Sequence, residues 1–453
     1  MLTGVFNRFI EKSPLTVMMR ALVERTLNPP RLDAWFGQVA ESQYTRELLF
    51  STVVGLMLEV VCGVRKSVNA AYRALVEEIP VSVQAVYDKL KGLEPGTTAE
   101  LVRYSACEAQ AVIEQLGGQR EALLPGYRVK ILDGNCLGAT EHRIKDLRAL
   151  SGGALPGKSL VVYDPQLELA THMVPCENGH TQERALLKQV LAWIQAGESW
   201  VMDRNFCVLG FLWQITQRAA YFVVREHEQL PWKPLGPMQE VGRLETGQVG
   251  EQLIEVQGPD GQKQVWRRIR VLLQTPTRDG DDRIYLITNL PVEIDACTIA
   301  QLYRTRWRIE TAFFHLAEDL NCEINTLGYP RAALFGFGIG LVAYNTLAVL
   351  KAALRVNHGA SVVDDELSGY YIADEVSGTY RGMMIAIPAE AWLIFRDLNL
   401  PTFSAWLLEV ASKVRLEPLR KQCRGPKKPR TPRRYDPKRP HFATAKILAR
   451  RNS

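Results

Sequence analysis

The feature that most constrains this chain is the order of its periodic runs between residues 127 and 227. YRVKILDGNCL, KSLVVYD and LELATHMV are short β-rich runs separated by Gly and Pro, the pattern of adjacent antiparallel strands. A helix capped by Thr181 is expected over 182–196, then strand SWVMD, a helix over 208–217 and strand YFVVREH. Three strands, a helix, a strand, a helix and a strand make an α/β layer rather than a sandwich.

The flanks read differently. Residues 1–120 carry helical spacing throughout, with Gly63 and Pro80 as breaks. The pair AAYRALVEE and VSVQAVYDKL, split at Ile79-Pro80, has helix-turn-helix proportions, which any three-helix bundle also shows. Residues 237–290 interrupt the alternation with EQLIEVQ, a turn at Pro259-Asp260-Gly261, VWRRIRVLLQ and RIYLITNL, a β-rich insertion. Helical spacing resumes at 295–320 as one expected helix. A second helix follows over 332–355, and short helices fill 356–419. The expected units are 1–120 (helical, DNA-binding), 121–236 and 291–355 (two parts of one core), 237–290 (insertion), 356–419 (helical) and 420–453 (basic tail).

Charge is unevenly placed. From Arg420 onward, thirteen Lys and Arg face one acid, a net of +12, which leaves the rest of a +6 chain at −6. RGPKKPRTPRRYDPKRP is too rich in Pro and charge to pack, so the tail over 420–453 is expected to be disordered until it meets a polyanion. Lys427, Lys428, Arg430, Arg433 and Arg434 are its expected phosphate contacts.

Eight cysteines, none closer than 25 positions to the next, leave no C-x-x-C pair for a zinc knuckle or redox dithiol. With no apolar leader at the first residues, a reducing cytoplasm is the expected setting. Residues 332–350 carry no charge, a length that reaches the lower range of a membrane span. Three glycines, Tyr344 and Asn345 within it suit a helix buried inside a large domain, and no membrane is expected.

Three acids stand out by position. Asp133 closes ILD and Asp203 closes VMD, both at expected strand ends, where α/β proteins place chemistry. Each alone is equally a turn former or helix cap. On the helix over 295–320, Leu302, Ile309, Phe313, Leu316 and Leu320 share one face. Tyr303, Arg306 and Glu310 fall beside it within an arc of about 60°. Trp307 flanks the same stripe. Arg306 and Glu310 also have the spacing of a solvated i, i+4 pair. Three carboxylates suit phosphodiester chemistry, because two hard divalent ions about 4 Å apart can activate water and relieve charge on the leaving oxygen.

These residues resemble the DDE transposases of bacterial insertion sequences, in the group with a Y-x-x-R-x-x-x-E-x-x-x-x-x-x-K signature. The stretch Tyr303-Arg304-Thr305-Arg306-Trp307-Arg308-Ile309-Glu310 matches its Y, R and E. The D-G-N at Asp133 and D-R-N-F at Asp203 are similar to the family's first two acidic motifs. The resemblance covers about residues 120–350. It implies an α/β fold: an RNase H-like mixed sheet with helices, interrupted by the β-rich insertion and flanked by helical N- and C-terminal regions.

The resemblance also implies that Asp133, Asp203 and Glu310 hold two Mg²⁺ ions, for which Mn²⁺ can substitute. Tyr303 and Arg306 would grip a phosphate of the element's end, and Trp307 would stack on a flipped base. The implied partners are double-stranded DNA, as terminal inverted repeats and target, and a second copy in a homodimer. The implied setting is the nucleoid of a bacterial cytoplasm. The signature lysine falls at Ala317, which removes one expected phosphate contact. An RNase H-like nuclease without strand transfer, and a catalytically silent DNA-binding descendant, are the alternatives.

Overall fold

The computed structural model describes residues 4–43, 47–138, 140, 144–148, 153–277, 280–318, 320–422 and 441–451. Lys427, Lys428, Arg430, Arg433 and Arg434 lie outside the described residues. Seven helices come first: α1 (Gly4–Lys12), α2 (Pro14–Thr26), α3 (Pro29–Val39), α4 (Phe50–Val61), α5 (Val68–Ala74), α6 (Val83–Gly92) and α7 (Pro95–Leu116). Polar caps start several of them, such as Asn28, Ser67 and Ser82, whose side chains accept backbone N–H groups of the first turn. The helix-turn-helix candidate is α5 and α6, with Val86 and Leu90 of α6 turned into the core.

The sheet begins with β1 (Arg128–Cys136), followed by β2 (Ala154–Leu155), β3 (Lys158–Asp164), β4 (Leu169–Cys176), β5 (Glu198–Met202) and β6 (Tyr221–Arg225). The order β4-β3-β1-β5-β6, with β3 antiparallel to β1 and β4 while β5 and β6 run parallel to β1, is the RNase H-like arrangement. The expected helix over 182–196 is instead a 3-10 turn (Glu183–Leu186), α8 (Leu187–Val190) and a second 3-10 turn (Leu191–Trp193). This tighter winding lets Leu186, Leu187, Val190 and Ile194 all reach one core. α9 (Leu209–Gln217) covers the same face of the sheet.

The insertion extends the sheet instead of standing apart from it. β7 (Lys233–Pro234), β8 (Gln239–Leu244), β9 (Gly247–Gln257), β10 (Lys263–Leu273) and β11 (Arg283–Thr288) continue from β6, whose free edge β11 takes up, giving ten strands. Buried Arg267 of β10 ties this extension to the segment just after β11. Its Nη1 donates to the carbonyls of Pro291 at 2.6 Å and Ile294 at 2.8 Å, and Glu251 pairs with its charge. The turn into the next helix is thereby fixed.

That next element is a correction to the sequence reading. Residues 295–320 form two helices, α10 (Ala296–Arg304) and α11 (Trp307–Glu318), not one. The Thr305 hydroxyl donates to the Leu302 carbonyl at 2.6 Å, and the Arg306 N–H bonds Tyr303 three residues back, so the winding tightens and breaks there. Leu302, Ile309, Leu316 and Leu320 are nonetheless all buried.

The uncharged run lies within α12 (Pro330–His358), and 89% of the helix's most apolar window is buried inside the fold. One of its polar residues is used internally: Asn345 accepts from the Ala170 N–H at 2.9 Å and donates to the Ala170 carbonyl and the Ser105 hydroxyl. α12 packs on α7, α4 and β4, so the early helices and the sheet share one apolar core. α13 (Gly369–Ala386), α14 (Ile394–Asp397) and α15 (Leu400–Ala411) close a second core with α2 and the end of α12.

The described end of the tail, 441–451, departs from the expectation of disorder, while residues 423–440 lie outside the described residues. β12 (Phe442–Ala443) pairs with β2, and α16 (Thr444–Arg451) seats Ile447 and Leu448 against Ile144, Leu147 and Ala154. A small apolar motif at the end of the tail outweighs the charge around it.

Candidate active site

The sheet brings Asp133 and Asp203 together by register. β1 and β5 pair in parallel up to Leu132 opposite Met202, so the two aspartates are the next residues on neighbouring strands. Neighbouring strands lie about 5 Å apart. Side chains alternate between faces, and Val129, Ile131 and Val201 point into the core shared with α10 and α11. Asp133 and Asp203 follow in that alternation, on the side where those helices lie. Asp133 does not end its strand as expected: β1 continues to Cys136 against β3, but its ladder to β5 stops just before the aspartate.

The capping explanation for Asp203 fails, because its side chain makes no capping bond to the 3-10 turn that follows. Its neighbour Asp133 accepts the Gly134 N–H at 2.8 Å. The reading of Arg306 and Glu310 as a solvated i, i+4 pair is also incomplete. Arg306 Nη2 does bond Glu310 Oε1 at 2.6 Å, but Nη1 bonds Asp133 Oδ2 at 2.9 Å. Its side chain is 13% exposed, so this is no solvated surface pair. One guanidinium spans two of the three acids.

The helix break at Thr305-Arg306 makes this possible, since it turns Arg306 toward β1 while α11 continues and carries Glu310. Tyr303 sits on the last turn of α10 beside the same arginine and near Asp203; burial raises its phenol to about 12. Trp307 is 64% exposed at the start of α11, its ring 6.0 Å from the Arg306 guanidinium carbon. It borders a cleft of about 770 Å³ shared with Arg308, Lys351 and Tyr370.

Electrostatics reports the crowding. Burial drives the Asp133 carboxyl up to about 6, Arg306 and the Gly134 N–H oppose it, and the charges of Asp203 and Glu310 push it further up. One more acid stands at this edge. Glu183 lies against Gly134 and accepts from Asn205 Nδ2 at 3.3 Å. No periodicity marks it; the faint signal is the glycine after Asp133.

Whether divalent ions fit can be judged from these groups. The acids supply hard oxygen donors, the class that Mg²⁺ and Mn²⁺ select. Among the described residues no three acidic, His or Cys side chains are already gathered into a cage, because Arg306 stands between Asp133 and Glu310. Arg306 Nε is buried and pairs with neither acid, and the Tyr303 phenol lies against the same guanidinium. The donor set fits a hard cation once that arginine gives way.

Strand order and this acidic edge define an RNase H-like core with two acids just past the last rung between its central strands. Residues 124–346, just under half of the chain, match the family model described as "Transposase DDE domain", and this stretch is similar to that domain. A protein of Sinorhizobium fredii (strain NBRC 101917 / NGR234) named as a transposase, y4zB, is 24% identical over 211 residues. That match takes in 46% of this chain and 57% of the relative, so the chain spans little more than half of that protein's length. A solved piggyBac transposase in a synaptic complex with hairpin DNA aligns over 93% of this chain and 88% of its own, at 10% identity and a TM-score of 0.40.

Proposed function

We propose that this chain is a DNA transposase that binds the terminal inverted repeats of an insertion sequence, cuts at their ends and joins the freed 3′ ends to a target. The observation that carries this reading is the register of Asp133 and Asp203 on neighbouring parallel strands, with Glu310 joined to the first through Arg306. In this reading Asp133, Asp203 and Glu310 hold the divalent ions. When bound, two such ions make a nucleophile of water or a 3′-hydroxyl and offset charge on the leaving oxygen.

The chain's own residues do the rest. Arg306 neutralises the acids before DNA arrives and, with Tyr303, turns to a phosphate oxygen once ions take its place. Trp307 offers an exposed ring on which a base can stack. α5 and α6 contact the inverted repeat. The basic run containing Lys427, Lys428, Arg430, Arg433 and Arg434 adds non-specific affinity, which partly offsets the lysine missing at Ala317. Two copies bring two ends together.

The direct test incubates the full chain with Mg²⁺ and a duplex bearing the inverted repeats that flank its gene. The expected products are 3′-hydroxyl ends at the repeat tips and, with target DNA added, joined strands. Cutting without any joining identifies a nuclease instead. DNA binding with no cutting in either Mg²⁺ or Mn²⁺ identifies a silent descendant.

A further inference from the structure

The two aspartates stand just past the last rung that links their strands, since the β1–β5 ladder ends at Leu132 and Met202. Backbone pairing brings them side by side, but no rung bonds the two segments beyond that point. Glu183 is placed to link them. It opens the 3-10 turn at Glu183–Leu186, in the segment where the sequence suggested a regular helix. One of its carboxylate oxygens lies so close to Gly134 that a Cβ built there would fall 2.2 Å from it.

Gly134 does not have a left-handed φ, so backbone conformation is not what demands glycine at this position. An alanine here would meet the Glu183 carboxylate and push it aside. The other carboxylate oxygen accepts from Asn205 Nδ2 at 3.3 Å. Gly134 directly follows Asp133, and Asn205 is two residues beyond Asp203. One side chain thus bridges the two segments beyond the point where hydrogen-bonded pairing stops.

We propose that Glu183 is a positioning residue that fixes the spacing of Asp133 and Asp203 by resting on Gly134 and holding Asn205. The proposal rests on the reading above, in which these aspartates hold divalent ions. Supporting residues of this kind change metal affinity more than they change the chemistry once ions are bound.

The test measures the Mn²⁺ concentration that half-saturates the thermal stabilisation of the full-length chain, with DNA cleavage followed in parallel. Glu183→Ala should raise that concentration by about tenfold or more. Cleavage at saturating Mn²⁺ should return to within a few-fold of wild type. Gly134→Ala, which drives the carboxylate off its seat, should give the same rise. The double variant should be no worse than either single one, because both remove one contact. Glu183→Gln retains the shape and an acceptor for Asn205 and should restore most of the affinity.

Three results would overturn the proposal: an unchanged Mn²⁺ midpoint in Glu183→Ala, additive effects of the two alanine variants, or a glutamine variant as impaired as the alanine one. The last would make the negative charge itself the requirement. Asp133→Asn serves as the control. If it too leaves the midpoint unchanged, the ion-binding reading has failed and takes this proposal with it; if it abolishes the response while Glu183→Ala does not, only the bridge is wrong.

Discussion

Glu310→Gln should lower strand cleavage by at least about a thousandfold, roughly 4 kcal/mol of barrier, while leaving DNA affinity within a few-fold of wild type. The substitution keeps the size of the side chain and its place on α11. It also keeps an oxygen that can accept from Arg306 Nη2, so the local fold should persist. What it removes is one negative charge from a set of three, and an amide oxygen is a far weaker ligand for a hard cation than a carboxylate. Cleavage and gel-shift binding measured on the same preparation check this. A variant that cuts at the wild-type rate with Mg²⁺ would exclude Glu310 from the chemistry.

Asp133→Asn should produce a larger and less intuitive result: loss of cleavage together with a more stable metal-free protein. The carboxyl at 133 is buried beside two other acids, and even with Arg306 at hand it titrates up at about 6. The sign comes from proton linkage. Below the ordinary aspartate range the group is protonated in both folded and unfolded chains and costs nothing. Between about 4 and about 6 the folded chain keeps a proton that the unfolded chain has released, so stability falls as pH rises.

Above that window the penalty is complete, on the order of 2–3 kcal/mol. Asparagine carries no such penalty at any pH. Urea unfolding in EDTA should therefore show the variant more stable at pH 7–8, with the gain shrinking toward zero as pH falls through 6 to 4. An Asp133→Asn protein less stable than wild type at pH 8 would show that this carboxylate is not held against its preference. A functional site that costs stability is a common bargain in enzymes.

Much of this arrangement is legible in the sequence alone, for reasons that differ by residue. The strand runs around Asp133 and Asp203 are short, apolar and bounded by Gly and Pro, so local pattern alone places them in an α/β sheet. Their shared register is not local, since it depends on β1 and β5, about 70 residues apart, choosing each other as neighbours. The apolar stripe through Leu302, Ile309 and Leu316 is visible at helical spacing. The break at Thr305-Arg306 is not, because a threonine hydroxyl turned onto its own helix leaves the periodicity intact.

Glu183 shows where such reading stops. It looks like an ordinary polar residue at a helix start, and only the three-dimensional approach to Gly134 marks it out. The end of the tail fails for the opposite reason. Composition over 420–453 is dominated by charge and proline, yet Phe442, Ala443, Ile447 and Leu448 are enough to dock a strand and a helix. The insertion is intermediate: its strands are legible one by one, but nothing in them states that β11 will extend the main sheet from β6.

The central claim is that the side chains of 133, 203 and 310 act as one cation site. Electron paramagnetic resonance of Mn²⁺ added to the full-length protein counts bound ions directly, without reference to DNA or turnover. The expected result is tight Mn²⁺ binding that is lost or greatly weakened in Asp133→Asn, Asp203→Asn and Glu310→Gln alike. Binding that survives unchanged in any one of the three contradicts it.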